Sequence, residues 1–246
     1  MESVLNLILS HQSAAAVGRM IDCWSECVDR DSIVIAHGGE ERDFEAIAHE
    51  KKLFVDDARL RTRDHQREFQ SYTQLLRMAA ELLKKNAQIQ FVYFAEYDHP
   101  PLVADLNQRQ ITHLSEEKAD LLAFHVHRVD DTNNPHSLYH SADQRFMRFW
   151  AEITRRTEPE VVLSMFGTGS FWSREAFCAV AGIEEPFPIY MEIYLPTMAH
   201  HLGFRVRDFA EQNRFVRALE NEICGIDQAK EQGAWTLHPV KRLWDR

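Results

Sequence analysis

The sequence predicts an α/β fold: a mostly parallel central sheet with helices on both faces. Three observations carry that expectation. Short apolar runs alternate with segments of helical period through the first hundred residues, the signature of a doubly wound sheet. The last of these runs, Phe91–Ala95, breaks abruptly into Glu96-Tyr97-Asp98-His99 and two prolines, as a buried strand does where it leaves the core. The chain of 246 residues is long enough to bury one full core, and with no repeat, low-complexity tract or linker it reads as one domain.

Val4–Leu9 reads as strand one, and Ser10-His11-Gln12 follow it. Ser13 is a natural N-cap for a helix whose apolar positions are Val17, Met20, Ile21, Trp24, Cys27 and Val28. Ser32–Ala36 is strand two and ends in His37-Gly38-Gly39. Strand, helix, strand within about forty residues is a βαβ unit, which favours parallel pairing. A short helical stretch around Phe44–Ala48 leads to a third strand, Leu53–Val55, and then to Asp56-Asp57. A long amphipathic run with Phe69, Tyr72, Leu75, Leu76, Ala79, Leu82 and Leu83 on one face ends in Lys84-Lys85-Asn86, suited to a helix C-terminus. The run at Phe91 is strand four.

The second half is less regular. Pro100-Pro101 should open a short helix reaching about Gln110, since proline fits a first helical turn. Leu121–Val129 reads as strand five, with His125 and His127 on one face, either as metal ligands or as a packed strand face. After the polar turn Asp130–Pro135 comes a helix over Asp143–Thr154. Val161–Phe166 is a further strand running into Gly167-Thr168-Gly169-Ser170-Phe171-Trp172, with a helix from Ser173. That Gly-rich run is not spaced as a P-loop or a dinucleotide fingerprint; its small residues either let a ligand approach or make a tight turn. Pro196 should kink the helix beginning near Met191 or start it afresh. Phe204–Phe209 alternates like an edge strand, and a last helix is expected over Phe215–Lys230. The following stretch, Ala234–Lys241, is more apolar than a frayed end.

Composition narrows the chemistry. A formal net charge of −10 argues against nucleic acid as the main partner, which is gripped through Lys and Arg. Cysteines 23, 27, 178 and 224 form neither a CxxC pair nor a disulfide framework. No apolar run approaches the roughly 20 residues of a membrane span, and Met1-Glu2-Ser3 lacks the basic start of a signal peptide, so a cytoplasmic location is expected. Acidic residues at the carboxyl end of a central strand lie where open α/β sheets bind ligands. Glu96 and Asp98 point to one side of extended backbone, and paired carboxylates repel unless a cation lies between them. A divalent-metal site and a solvated turn are the two readings.

The order of these pieces resembles the GT-A class of nucleotide-sugar glycosyltransferases: an N-terminal βαβ region, Glu96-Tyr97-Asp98 ending a mid-chain strand, the Gly-rich strand end with Trp172, the acidic helix start at Glu192, and His238-Pro239-Val240-Lys241. The likeness spans nearly the whole chain, although the acidic motif of that class is Asp-x-Asp. It implies a single GT-A-like domain over residues 1–246, with 1–100 binding the nucleotide-sugar and 101–246 the acceptor. It implies sugar transfer from a nucleotide-diphosphate donor to a glycan or other hydroxyl acceptor, with inversion, as in polysaccharide biosynthesis.

The resemblance also implies roles. Asp98, Glu96 and His238 would hold Mn²⁺ or Mg²⁺, and the imidazole suits manganese better. Ser10, His11, Gln12, Gly38 (with Gly39), Asp56 and Asp57 would face the nucleoside, and Lys241 would meet the diphosphate. Arg61 and Arg63 are weaker phosphate candidates. Glu192 would be the base that deprotonates the acceptor, and the helix dipole favours a carboxylate there. Gly169 and Trp172 would contact the acceptor. A non-catalytic module binding a sugar nucleotide or glycan is the alternative. A nucleotidyltransferase is a second one, but Ser10–Gly18 lacks the basic, Gly-rich loop it would need.

Overall fold

The computed structural model describes residues 3–56, 73–129, 144–154, 161–187, 189–217 and 225–240. In chain order these form β1 (Ser3–Ser10), α1 (Ala14–Ser25), β2 (Ile33–His37), α2 (Glu41–Ala46), β3 (Lys52–Phe54), α3 (Thr73–Lys85) and β4 (Ile89–Glu96). Then come α4 (Leu106–Glu116), β5 (Leu121–Ala123), β6 (His127–Arg128), α5 (Gln144–Thr154), β7 (Leu163–Ser164) and β8 (Ser170–Ser173). The series closes with α6 (Arg174–Ala181), α7 (Met191–His201), β9 (Val206–Asp208) and α8 (Ile226–Glu231).

Seven strands make one sheet in the order β3-β2-β1-β4-β8-β5-β9. The block β3-β2-β1-β4 is parallel throughout, β8 runs antiparallel to both β4 and β5, and β9 lies parallel to β5 at the edge. Strands β6 and β7 form a separate antiparallel pair.

Alternation along the strands separates two cores. Leu5, Leu7, Leu9, Val92, Phe94 and Trp172 pack on α3, α6 and α7 through residues such as Leu75, Phe177 and Leu195. On the opposite face Val4, Ile8, Tyr93, Ala95 and Phe171 meet Val17, Met20 and Trp24 of α1 and Leu106 and Leu114 of α4. Both faces of the sheet are therefore covered by helices, as the sequence predicts.

Ser13 caps α1 by accepting from Ala16 N–H at 3.4 Å, and Ser173 caps α6 through Ala176 N–H at 3.2 Å. The Arg174 guanidinium donates to the carbonyls of Leu83, Asn86 and Ile89. It thus binds the electronegative end of α3 and fastens the entry to β4.

The second half departs from expectation at several points. Pro101 does not open a helix; it pairs with Thr236 in an isolated antiparallel bridge, and α4 begins at Leu106. The strand expected over Leu121–Val129 is broken where His125 takes a positive φ of 53°, so His125 and His127 do not share one strand face. The strand expected over Val161–Phe166 is confined to Leu163–Ser164. Ser170-Phe171-Trp172, expected in a Gly-rich strand end that admits a ligand or turns tightly before a helix from Ser173, instead form with Ser173 a buried strand. The last helix is described only as Ile226–Glu231, after a 3-10 turn at Asn213–Phe215.

Pro196 neither ends nor restarts α7. A proline gives no N–H to the carbonyl four residues earlier, here that of Glu192, and Met165 N–H takes that carbonyl at 2.9 Å. One residue along, the Thr197 hydroxyl both donates to and accepts from the Leu163 main chain. The helix therefore serves as a second edge partner for the β7 segment. No helix among the described residues is long and apolar enough to cross a membrane.

Candidate functional site

The parallel register aligns the carboxyl ends of the first four strands: Ser10 pairs with His37, Leu9 with Glu96, and His37 with Phe54. At this edge β4 turns sharply. Tyr97 N–H donates to Leu9 O and His99 N–H to Glu96 O, after which Pro100 and Pro101 have no N–H to offer. The late segment 234–240 runs back along this turn. Trp235 O accepts from Leu102 N–H at 2.8 Å, Leu237 N–H donates to Pro100 O at 3.3 Å, and Val240 N–H to Asp98 O at 2.9 Å.

That docking brings Glu96, Asp98 and His238 together, each offering a donor atom within 4.8 Å of the others. Asp98 is 3 % exposed and His238 7 %; Glu96 is half-buried. His238 Nδ1 lies 2.9 Å from Arg217 O, a group that only accepts, so Nδ1 carries the hydrogen and Nε2 presents its lone pair. Nε2 faces Asp98 Oδ1 at 3.4 Å, yet that buried oxygen has no aligned hydrogen bond. A lone pair beside two carboxylates, its ring fixed by a backbone carbonyl, is the arrangement of a metal-ligating histidine. The residues fit a divalent cation.

Burial alone would lower the His238 ring, but contact with Asp98, the Asp98 and Glu96 charges and the Arg217 carbonyl together hold it above its ordinary value. A second ring proton and a cation therefore compete for the same lone pair.

Beneath the triad sits His99, wholly buried. Its Nδ1 is 3.1 Å from Thr168 Oγ1 and its Nε2 is 2.8 Å from Thr236 Oγ1. Thr168 Oγ1 also accepts from Glu96 N–H at 2.7 Å. Burial, with His238 nearby, pushes the His99 ring well below the usual imidazole value, so it is neutral. Gly169 has a φ of +83°, and a Cβ there would overlap the His99 ring and stand 2.6 Å from Phe124. The space expected to admit an acceptor is thus filled by the protein's own rings.

Glu192 lies in the first turn of α7, 9 % exposed, and its Oε1 accepts from Gly167 N–H at 2.8 Å. The loop 167–169 is a bracket between both halves of the site. Gly167 holds Glu192, Thr168 holds Glu96 and His99, and Gly169 N–H donates to Phe94 O at 2.9 Å. The small residues that sequence reading gave to a ligand or a turn make close internal contacts.

The nucleoside candidates are placed unevenly. His11 is exposed and sets its ring edge-on to Tyr97, centroids 5.0 Å apart, beside the metal motif. Gln12 is half-buried and Asp56 exposed at the end of β3. Ser10 is wholly buried, and its hydroxyl accepts from Gln12 N–H at 3.2 Å. Gly38 is buried with its N–H on Ser10 O at 2.8 Å. A Cβ on Gly39 would come within 2.7 Å of His37 Nε2 and 2.9 Å of His11 O, so its bareness serves internal packing. Asp57, Arg61, Arg63 and Lys241 lie outside the described residues.

Trp172 is a correction. It is 1 % exposed, donates its indole N–H to Ser170 Oγ at 2.9 Å and meets Phe177 edge-on. Held in the core on β8, it offers no surface to an acceptor sugar. Sequence reading left His99 without a role and passed over Thr168 and Thr236. No spacing marks these residues, and only the fold makes them neighbours.

A cleft of about 340 Å³ lined by Val4, Ser32, Lys51, Asn86 and Gln88 lies at the opposite edge, by the amino ends of β1 to β4. The clustered ligating groups are not there but at the carboxyl edge, where parallel α/β sheets bind ligands.

No family model matches the chain, and no curated protein matches it. Solved structures similar in fold at low identity include two. One is a mannosyltransferase from Pyrobaculum calidifontis in complex with GDP-Man and Mn²⁺, at 14% identity and a TM-score of 0.46 over 83% of this chain and 54% of that one. The chain thus spans about half the length of that protein. The other is a CMP:2-keto-3-deoxy-manno-octonic acid synthetase complexed with CTP, at 12% identity and a TM-score of 0.45 over 84% of this chain and 89% of its own. Likeness at this level says nothing of the reaction.

Proposed function

We propose that the protein is a metal-dependent glycosyltransferase, moving a sugar from a nucleotide-diphosphate donor to a hydroxyl of a glycan or other acceptor with inversion. The observation that carries this reading is the convergence of Glu96, Asp98 and His238 at the carboxyl end of β4. Asp98, Glu96 and His238 would hold Mn²⁺ or Mg²⁺. Such an ion supplies Lewis-acid neutralisation of the charge developing on a leaving diphosphate.

The nucleoside lies across the ends of β1 to β3, by His11, Gln12, Gly38 and Asp56, with Ser10 shaping the turn beneath them. Asp57 and Lys241 are assigned on sequence grounds, Lys241 to the diphosphate. Glu192 takes the acceptor's proton. The acceptor oxygen then bonds to the sugar's anomeric carbon as the bond to the diphosphate breaks, through an oxocarbenium-like state. Gly167 N–H fixes the orientation of that carboxylate.

One observation favours a second reading, a sugar-nucleotide-binding module without turnover. With Trp172 in the core and Gly169 filled by His99 and Phe124, neither sequence-assigned acceptor contact is open. A panel of nucleotide sugars, assayed for thermal shift with and without Mn²⁺ and for nucleoside diphosphate release, separates the two. Stabilisation with release supports the transferase, and stabilisation without release supports the module. If no donor stabilises the protein, both readings fail.

A further inference from the structure

We propose that His99 is a positioning residue: by gripping the Thr236 hydroxyl it fixes the register of segment 234–240 and thereby sets His238 against Asp98. Its bearing on chemistry rests on the metal-dependent reading above.

The geometry begins with the separation of the ligands. Glu96 and Asp98 belong to one turn, whereas His238 arrives on a segment some 140 residues later in the sequence. Main-chain bonds from Leu102, Leu237 and Val240 dock that segment along the turn, but apart from Pro100, Pro101 and Pro239, which lack the N–H, peptide groups are alike and select a register only weakly. A side-chain contact does. In extended chain, residues two apart face the same side, so whatever holds Thr236 inward also holds His238 inward. A slip of one residue would turn both away.

His99 makes that contact with a completely buried ring, Nε2 to Thr236 Oγ1 at 2.8 Å. Its other nitrogen is tied to the metal motif through Thr168, whose oxygen already accepts from Glu96 N–H. A neutral imidazole donates through one nitrogen and accepts through the other, and a threonine hydroxyl meets either need. A continuous run links Glu96 N–H, Thr168 Oγ1, the two ring nitrogens of His99 and Thr236 Oγ1, with either ring tautomer satisfied at both ends. The same ring lies 5.4 Å from the His238 ring, centroid to centroid. His99 thus touches the backbone support of one ligand and the register of another. A phenylalanine would fill the same space and do neither.

The test compares His99→Phe and Thr236→Val, which remove the grip at nearly constant shape, with Thr236→Ser, which restores the hydroxyl. Amide hydrogen exchange is followed over 234–240 and over β1 and β4, and Mn²⁺ affinity is measured by electron paramagnetic resonance. Both removal variants should speed exchange at Leu237, His238 and Val240, leave β1 and β4 protected, and weaken Mn²⁺ binding by about 10–100-fold, as loss of a metal site's outer partners does. Thr236→Ser should restore both. Unchanged exchange at 234–240 in Thr236→Val, or an equal loss across the whole sheet, overturns the proposal. If the segment loosens as expected but the wild type binds no Mn²⁺, the positioning role stands and the metal reading falls. If the wild type binds Mn²⁺ and the segment stays protected in the variants, the positioning role falls and the metal reading stands.

Discussion

Gly167 gives its main-chain N–H to Glu192 Oε1 at 2.8 Å, and a Cβ on Gly167 would stand 2.8 Å from that same oxygen. The bond and the missing side chain are one requirement: the carboxylate oxygen stands closer to the place of an alanine methyl than van der Waals contact allows. Gly167→Ala should therefore displace Glu192 at a cost of about 1–3 kcal/mol, as overpacking of a tight site does. Urea denaturation would read that loss, and nucleoside diphosphate release should fall with it.

Glu192→Gln separates position from proton transfer. The amide oxygen still accepts from Gly167 N–H, but an amide does not take up the acceptor's proton. Donor affinity and melting temperature should stay near wild type while turnover falls by about 10²–10⁴-fold, the usual contribution of a general base. Isothermal titration with the donor and a steady-state transfer assay would check the split. Normal turnover would remove Glu192 from the mechanism.

Asp98→Ala should lower Mn²⁺ affinity by at least about 100-fold, since even outer partners of metal ligands are worth 10–100-fold. His238→Gln tests ligand type instead. Replacing imidazole nitrogen by an amide oxygen should narrow the preference for Mn²⁺ over Mg²⁺, read as the ratio of the two affinities by calorimetry. An unchanged ratio would place His238 outside the ligand set.

Trp172→Ala should cost about 3–5 kcal/mol of stability, the range for emptying a large aromatic site in a core, because its ring fills the face covered by α6. Guanidinium denaturation measures it. A stable variant with selectively weakened acceptor binding would instead return Trp172 to the sugar site.

His37 predicts acid sensitivity. It is wholly buried beside Phe44. Burial pushes its pKa below 6.5, with His11 and Lys52 adding to the shift and the Glu40 backbone and Asp43 opposing it. The unfolded chain therefore binds a proton that the folded chain refuses, and stability falls as pH drops below the unfolded value near 6.5. His99 acts in the same direction. His238, raised when folded, contributes stability that is lost only as pH rises above that value, outside the acid window. The urea midpoint should decline from pH 6.5 to 5, and His37→Phe should flatten that decline.

How much of this was readable in sequence follows from where contacts are local. The alternation of β1 to β4 with α1 and α3 is written in local periodicity, and so were the strands' acidic and Gly-rich ends. Ser13 and Ser173 were visible as caps or helix starts because a cap is a three-residue relationship. The split of Leu121–Val129 was hidden, since the break depends on His125 N–H finding Asn213 Oδ1 at 2.9 Å and Val126 N–H finding Asp208 Oδ1 at 3.0 Å. Strand β8 was hidden for a related reason. Ser-Phe-Trp after glycines reads as a turn or a ligand loop leading into a helix at Ser173, until β4 and β5 stand on either side of it. In the candidate site the cluster of Glu96, Asp98 and His238 was named, but what orients it was not. Thr168, Thr236 and Gly167 are common residues whose roles exist only across long sequence separations.

The late arrival of residue 238 has a consequence for how the molecule comes into being. Every described strand of the central sheet has been synthesised once Asp208 has been added, so the sequence of the sheet wholly precedes that of the arm. Synthesis runs from the amino end and domains fold as it proceeds. The sequence of the scaffold therefore precedes that of the arm, and a nascent or truncated chain ending before Thr236 lacks the histidine that stands beside Glu96 and Asp98.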